Sequence, residues 1–257
     1  MKSSLGVINK RRESIESLVN LNGFADVADL VQRFQVSAVT IRRDLDELAE
    51  EGRILRTHGG AERLPDSLSS AGSDPYEPIQ RSIAKAAAAL IDENDIVFIN
   101  SSITASYVIE YMDAKRVSVV SNNTLILTRR RSPDTTLILT GGQVTAERTS
   151  MTGLYANSVL SKTVASKCIL GVRGISAAEG ITSSVLEETY VNQTMVSQTR
   201  GPVIVVADHR KIGKLDSFLT CGIDRISTLI TDRKADSREL NALREKGVEI
   251  IIVEAQP

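Results

Sequence analysis

Cysteine is scarce. Cys168 and Cys221 are the two in 257 residues, too few for a disulfide framework or a zinc site. No apolar run approaches the roughly 18 residues of a membrane helix. Met1-Lys2-Ser3-Ser4 leads into no hydrophobic signal segment. The chain therefore reads as cytoplasmic, with no membrane partner. An excess of positive charge is missing too. The net charge is −1, and residues 1–64 set ten Lys/Arg against ten Asp/Glu. Binding to nucleic acid would have to come from local placement of charge, since bulk attraction is absent. The two histidines, His58 and His209, stand alone and suggest no catalytic constellation. Neither a cofactor nor a metal is expected.

What is present is a change of period along the chain. Ile41, Leu45 and Leu48 recur at i, i+4 and i+7, which predicts a helix over 37–49 with one apolar stripe. Ser37 is placed to cap its first turn, and Val36 and Ile41 have the spacing of a hydrophobic staple. Gly52 follows the last apolar position as a stop. Upstream, residues 10–22 (Ile15, Leu18, Val19) and 26–34 (Val27, Leu30, Val31, Phe34) predict two more amphipathic helices. Two short helices joined by a tight turn, the second exposing polar residues at its start, form the helix-turn-helix plan. Residues 53–61 predict a short hairpin wing with a glycine tip, whose Arg53, Arg56 and His58 would reach phosphates. With the stripe facing inward, Ala38, Thr40, Arg42 and Arg43 lie on the exposed first half of the helix over 37–49. Asp44, Asp46, Glu47, Glu50 and Glu51 lie further along. Basic residues first and acidic ones last oppose the helix dipole, so the arginines point to a polyanionic partner: double-stranded DNA.

Residues 65–78 are rich in Pro, Ser and Gly without a period, as a linker is. Beyond them, apolar runs at 96–99, 117–120, 136–139, 168–172, 203–207, 227–230 and 249–253 predict strands. Between most of them lie helical patterns at 83–91, 105–112, 186–199 and 237–245. Such alternation implies a mostly parallel sheet covered on both faces, in which ligands bind beyond the carboxyl ends of the strands. Polar clusters follow five successive runs: Asn100-Ser101-Ser102-Ile103-Thr104, Ser121-Asn122-Asn123, Thr140-Gly141-Gly142, Arg173-Gly174 and Asp208-His209-Arg210-Lys211. The first opens a helix, where hydroxyls and unpaired N–H groups suit an anion. Each cluster alone is more simply a cap or a turn; their shared position makes a site. The expected organisation is an N-terminal all-α winged helix-turn-helix (1–64), a linker (65–78) and a C-terminal α/β domain (79–257).

The stretch Val36-Ser37-x-x-Thr40-Ile41-Arg42-Arg43-Asp44-Leu45-x-x-Leu48, followed by Gly52 and Arg56-x-His58-Gly59-Gly60-Ala61, resembles the DNA-binding signature of the DeoR family of bacterial transcriptional regulators. The second half is similar to that family's effector domain through Ile83-Ala84-x-Ala86-Ala87, Asn100-Ser101, Ser121-Asn122, Gly141-Gly142, Gly153, Gly171-x-x-Gly174-Ile175, Gly180, Glu187-Glu188, Ala207-Asp208 and Lys211-x-Gly213. The resemblance implies a winged helix-turn-helix repressor of a sugar-catabolic operon. It also implies a second domain like ribose-5-phosphate isomerases in fold, sensing phosphorylated sugars or related metabolites. Thr40, Arg42 and Arg43 would then face the groove. Ser101, Ser102 and Thr104 would hold a phosphate, with Lys211 as counter-charge. The chain departs from the pattern in three places: Asn100-Ser101-Ser102-Ile103-Thr104 stands for Asp-Ser-Gly-Thr-Thr, Arg173 for an acidic residue, and Asn192 for a lysine. These changes suggest a more positive pocket and a phosphorylated sugar acid as effector, unless Arg173 pairs with Glu187 or Glu188.

The expected DNA contacts are Ser37, Thr40, Arg42, Arg43, Arg53, Arg56 and His58. The expected effector contacts are Asn100, Ser101, Ser102, Thr104, Asn122, Gly141, Gly142, Arg173, Asp208 and Lys211. A homodimer or higher even-numbered oligomer is expected from the two-fold symmetry of operators. Two other readings stay open. One is a sugar-phosphate isomerase with an accessory head, its base drawn from Asp208, Glu187 or Glu188. The other is a constitutive DNA-binding protein with a vestigial pocket.

Overall fold

The computed structural model describes residues 8, 11–19, 23–50, 53–57, 59–63, 74–113, 115–145 and 148–255. Gly52, His58, the ends of the first expected helix and residues 65–73 of the expected linker lie outside the described residues. The chain divides into two compact units, Met1–Gly72 and Ser73–Pro257.

The first unit runs α1 (residues 11–19), β1 (Phe24–Asp26), α2 (Val27–Phe34), α3 (Ala38–Glu50), β2 (Leu55–Arg56) and β3 (Gly60–Glu62). Asp26 caps α2 by accepting the Asp29 N–H at 2.8 Å. Gln35 ends α2 in the left-handed region at φ 52°, and the chain turns straight into α3. Ser37 Oγ accepts the Thr40 N–H at 3.2 Å, the expected cap. Ile41, Leu45 and Leu48 are buried with Ile15, Val19, Leu30, Ile54 and Ala61, and Val36 packs beside them. The wing differs from expectation. It is a three-stranded antiparallel sheet, order β1-β3-β2, because Phe24–Asp26 pairs with Gly60–Glu62. A three-residue strand running directly into a helix carries no alternation to read. Gly60 permits the pairing, since a Cβ there would come within 2.1 Å of the Ala25 carbonyl oxygen.

The acidic half of α3 also differs. Asp44 is buried, and its carboxylate accepts from Arg11 Nε at 2.6 Å and Arg12 Nε at 3.0 Å. Arg12 also reaches Glu47 at 2.8 Å, and Arg56 reaches Asp46 at 2.6 Å. The carboxylates thus fasten α3 to α1 and to the wing, which offsets their unfavourable place on the helix dipole.

The second unit runs α4 (Glu77–Ala89), β4 (Ile96–Ile99), α5 (Ile103–Ser106), β5 (Val117–Ser121), β6 (Thr135–Leu139), α6 (Leu154–Ser161), β7 (Lys167–Gly171), β8 (Gly174–Ser176), β9 (Gly180–Ser183), α7 (Leu186–Ser197), β10 (Val203–Val206), β11 (Phe218–Cys221), β12 (Thr228–Asp232), α8 (Ser237–Glu245) and β13 (Glu249–Val253). All seven expected strands join one sheet, order β13-β12-β10-β7-β4-β5-β6, and every pairing in it is parallel. Side chains alternate between two cores. Val97, Ile99, Val119, Ile169 and Ile204 pack on one face with α4 and α5. Phe98, Val120, Cys168, Leu170 and Val205 pack on the other with α6, α7 and α8. The helix expected over 105–112 is α5, whose chain continues as a 3-10 turn through Tyr107–Tyr111. A second, antiparallel sheet, β11-β9-β8, takes in Cys221.

The burial of Asp44 yields a test. Removing a carboxylate that two arginines share, all three largely out of water, costs about 3 kcal/mol. In Asp44→Ala, amide exchange along α3 in the full chain should accelerate by roughly a hundredfold. Asp46→Ala removes an exposed ion pair and should accelerate it by less than about fivefold. Equal effects of the two changes would contradict the role given to Asp44.

Candidate functional site

Because the strands are parallel, the chain leaves β4, β5, β7 and β10 along one edge of the sheet, and the polar clusters meet there. Asn100, just past β4, is 3% exposed. Its side-chain amide donates to the Gly171 carbonyl oxygen at 2.8 Å and to Asn192 Oδ1 at 3.2 Å. Its Oδ1 accepts the Gly171 N–H at 2.9 Å and the Ser102 N–H at 3.4 Å. Both donor and both acceptor positions are filled, so Asn100 ties β4, β7 and α7 together and has no capacity left for a ligand. Two of the departures noted in the sequence are therefore one: Asn100 and Asn192 form a neutral amide pair.

The loop after β4 is held from below. Asn123 donates to the carbonyl oxygens of Asn100 at 3.3 Å and Ser102 at 3.1 Å. Ser102 Oγ caps α5 through the Ala105 N–H at 3.4 Å. It packs so closely on Gly171 that a Cβ there would lie 1.8 Å from it. Thr104 is buried in the first turn. Ser101 is half-buried, and its hydroxyl has no hydrogen-bond partner among the described residues. Asn122 is fully buried; its Nδ2 donates to the Met151 carbonyl oxygen at 3.1 Å, while its Oδ1 has no hydrogen-bond partner among the described residues. Gly141 and Gly142 both take positive φ, 66° and 123°. Gly142 also lies against Thr152, whose carbonyl oxygen would be 2.4 Å from a Cβ.

The charged side of the edge is built by the loops after β7 and β10. They are joined by the bridge between Ile175 and Ile212 and by the Gly213 N–H donating to the Ile175 carbonyl oxygen at 2.8 Å. Asp208 is buried, and Arg210 clamps it with Nε on Oδ1 and a terminal nitrogen on Oδ2, both at 2.8 Å. Burial pushes the Asp208 pKa up, but the Arg210 hydrogen bonds outweigh it and hold the carboxyl below its usual range. The Arg210 guanidinium in turn lies 3.4 Å over the Tyr76 ring. His209 sits on Asp232 at 2.9 Å.

Lys211 and Arg173 remain. Both are half-buried, and neither side chain has a hydrogen bond or ion pair among the described residues. Glu188, one expected partner of Arg173, is taken by Ser150 Oγ at 2.9 Å and approached by Arg148 at 3.6 Å. Glu187 is exposed. Burial, only partly opposed by Asp208 and reinforced by Arg210, Arg173 and Lys214, pushes the Lys211 pKa down to about 8. Lys167, at the opposite end of the sheet, makes the contrast. It is buried as well, but Asp92 and Asp95 hold it at 2.5 and 2.7 Å. No group of three His, Cys, Asp or Glu that could hold a metal is found among the described residues.

In the first unit, Arg42 is exposed and has no hydrogen bond or ion pair among the described residues. Arg43 is 80% exposed, with one contact to Glu47 at 3.7 Å. Thr40 Oγ1 meets Ser37 Oγ at 2.9 Å. Arg53 is engaged by Glu16 and Arg56 by Asp46; His58 lies outside the described residues. Val39 is 72% exposed beside the arginines. Its signal in the sequence is an apolar residue on the polar face of the helix.

Two family models match the chain. Residues 11–66 match the DeoR-like helix-turn-helix domain and residues 78–233 the DeoR C terminal sensor domain. The chain is 30% identical to the lactose phosphotransferase system repressor of Streptococcus mutans, covering 89% of this chain and 94% of the relative. It is 27% identical to the HTH-type transcriptional regulator IolR of Bacillus subtilis, covering 93% and 97%. With GolR of Listeria innocua the identity is 26%, over 95% and 98%. Ribose 5-phosphate isomerase A of Methanocaldococcus jannaschii overlaps 53% of this chain and 54% of its own at a TM-score of 0.38 and 11% identity, too slight a likeness to bear on function.

The unpaired Lys211 has a consequence for pH. Its folded pKa, about 8, lies below the ordinary 10.5, so between those values the folded state binds fewer protons than the unfolded one. Without ligand, stability should therefore rise with pH across that window. Lys211→Met should lose this part of the rise, and Arg173→Gln should move the Lys211 titration upward in side-chain NMR. Superimposable stability curves for wild type and Lys211→Met would contradict the assignment.

Proposed function

The chain belongs to the DeoR family of transcriptional regulators, and we propose that it represses a carbohydrate-catabolic operon and is released from operator DNA by a phosphorylated sugar or sugar acid. The observation that carries the DNA half is the distribution of basic side chains in the first unit. Arg11, Arg12, Arg53 and Arg56 are matched by carboxylates of the same unit. Among the described residues exposed Arg33 on α2 is not, and on α3 Arg42 is not while Arg43 is held only by a long, exposed contact. Both project from the first half of α3, where a recognition helix meets base edges. Ser37 and Thr40 supply hydroxyls beside them, and Val39 suits a thymine methyl group. Arg53, Arg56 and His58 of the wing are assigned to phosphates, with Arg53 and Arg56 the weaker contributors because their charge is already met.

The effector half is supported by Lys211 and Arg173, unpaired among the described residues, on the same edge as Ser101, whose hydroxyl is unbonded among them. The phosphate is assigned to the loop of Ser101, Ser102 and Thr104, with Asn122, Gly141 and Gly142 lining the next strand ends. Asn100 and Asp208 serve as its braces. A sensing role fits this edge better than catalysis. Isomerisation needs a carboxylate base able to take a proton, and Asp208 is clamped by Arg210 while Glu188 is held by Ser150. The proposed assembly is a homodimer or higher even-numbered oligomer in the cytoplasm, with the two-fold matched to a palindromic operator. Among the described residues no helix is long and apolar enough to cross a membrane.

Mapping the genomic DNA sites of the protein would supply an operator fragment for binding measurements. Arg42→Ala and Arg43→Ala should each weaken specific binding, by about 1–3 kcal/mol where the guanidinium is bidentate to guanine. Arg53→Ala should change the slope of affinity against salt by much less than the roughly 0.9 of a full phosphate contact. Operator affinity untouched by both α3 changes would remove α3 from the groove.

A further inference from the structure

Arg173 and Lys211 are brought together by the Ile175–Ile212 bridge, and no carboxylate among the described residues pairs with either. The candidates are committed elsewhere: Asp208 to Arg210, Glu188 to Ser150 and Arg148, Asp232 to His209. The nearest departures from an acidic or basic pattern cancel, because Asn100 and Asn192 bond each other as neutral amides. What remains is two half-buried cations that no carboxylate among the described residues bonds, Asp208 offsetting only part of the burial of Lys211 from a distance. Where this protein buries a lysine for structure alone, at Lys167, it supplies two aspartates. A desolvated cation without a partner is costly, and one arrangement that removes the cost is an anion delivered from outside.

We infer that Arg173 and Lys211 form a subsite for a carboxylate of the effector, which makes the ligand a phosphorylated sugar acid and not a neutral sugar phosphate. The inference rests on the effector reading given above. A guanidinium presents a planar fork that matches a carboxylate with two parallel hydrogen bonds, whereas a lysine supplies a point charge. A sugar hydroxyl in their place would leave both charges unmet. The spacing fits as well. The subsite belongs to the loops after β7 and β10, and the Ser101 hydroxyl follows β4, the neighbour of β7. Adjacent strand ends lie about 4.8 Å apart, so a five- or six-carbon chain can span from the β4 loop to Arg173. Asn100, between them, is neutral and fully bonded, and repels neither end of such a ligand.

The test uses the full chain and matched probes. Glucose 6-phosphate carries the phosphate alone, gluconate the carboxylate alone, and 6-phosphogluconate both; five-carbon counterparts extend the set. Thermal shift ranks them by mass action, and calorimetry gives affinities for wild type, Arg173→Gln and Arg173→Lys. The expected result is that a phosphorylated acid binds at least tenfold tighter than its neutral partner. Arg173→Gln should abolish that preference through a roughly 10- to 100-fold loss for the acid, with less than about a twofold change for the neutral phosphate. Arg173→Lys should restore only part of it. A neutral phosphate bound as well as its acid, or a preference that survives in Arg173→Gln, overturns the carboxylate subsite and leaves a phosphosugar effector standing. Failure of every probe to stabilise the wild type counts against the effector reading itself, and the subsite falls with it.

Discussion

One buried side chain holds the carboxyl edge of the parallel sheet in place. Asn100 exchanges two hydrogen bonds with the Gly171 peptide group, at 2.8 and 2.9 Å, and a third with Asn192. A carboxylate at this position would face the Gly171 carbonyl oxygen with no proton to offer, whereas the amide donates to it. The loop after β4, the glycine at the end of β7 and the start of the loop carrying Arg173 depend on this contact. Gly171 completes it from the other side, since only a residue without Cβ admits Ser102.

Charge is distributed on a consistent rule across the molecule. Carboxylates and cations are matched locally wherever they serve the fold: Asp44 with Arg11 and Arg12, Lys167 with Asp92 and Asp95, Asp208 with Arg210. Among the described residues the half-buried exceptions are Arg173 and Lys211 at the strand ends, and Arg42 at the start of α3 is one of several exposed cations without a partner, Arg33, Arg131 and Lys234 among them. Net charge is nearly zero, so the unmatched positions set the binding properties and the total does not.

Much of this was legible in the residues alone. Seven apolar runs became seven parallel strands because a strand buried on both faces needs no alternation, only length and flanking breakers. The α3 cap and stripe were readable because Ser37, Ile41, Leu45 and Leu48 are local in sequence. What escaped depends on distant partners. β1, β8, β9 and β11 are three- or four-residue strands defined by their pairing, not by their own pattern. Asp44 looked solvent-facing because its partners, Arg11 and Arg12, come from another helix. Asn100 looked like a ligand contact until Gly171 and Asn192, 71 and 92 residues away, filled its hydrogen bonds. The pairing of Arg53 and Arg56 with Glu16 and Asp46 was hidden for the same reason.

In the proposed function the basic face of α3 and the cationic edge of the parallel sheet are the two ends of one switch. Thermodynamic linkage then requires reciprocity: if effector weakens operator binding, operator must weaken effector binding by the same factor. Calorimetric titration of the effector into the free protein and into its operator complex measures this directly. The account predicts an affinity lower for the complex by roughly 5- to 150-fold, matched by an equal loss of operator affinity on saturation with effector. Equal effector affinity in the two states would contradict it.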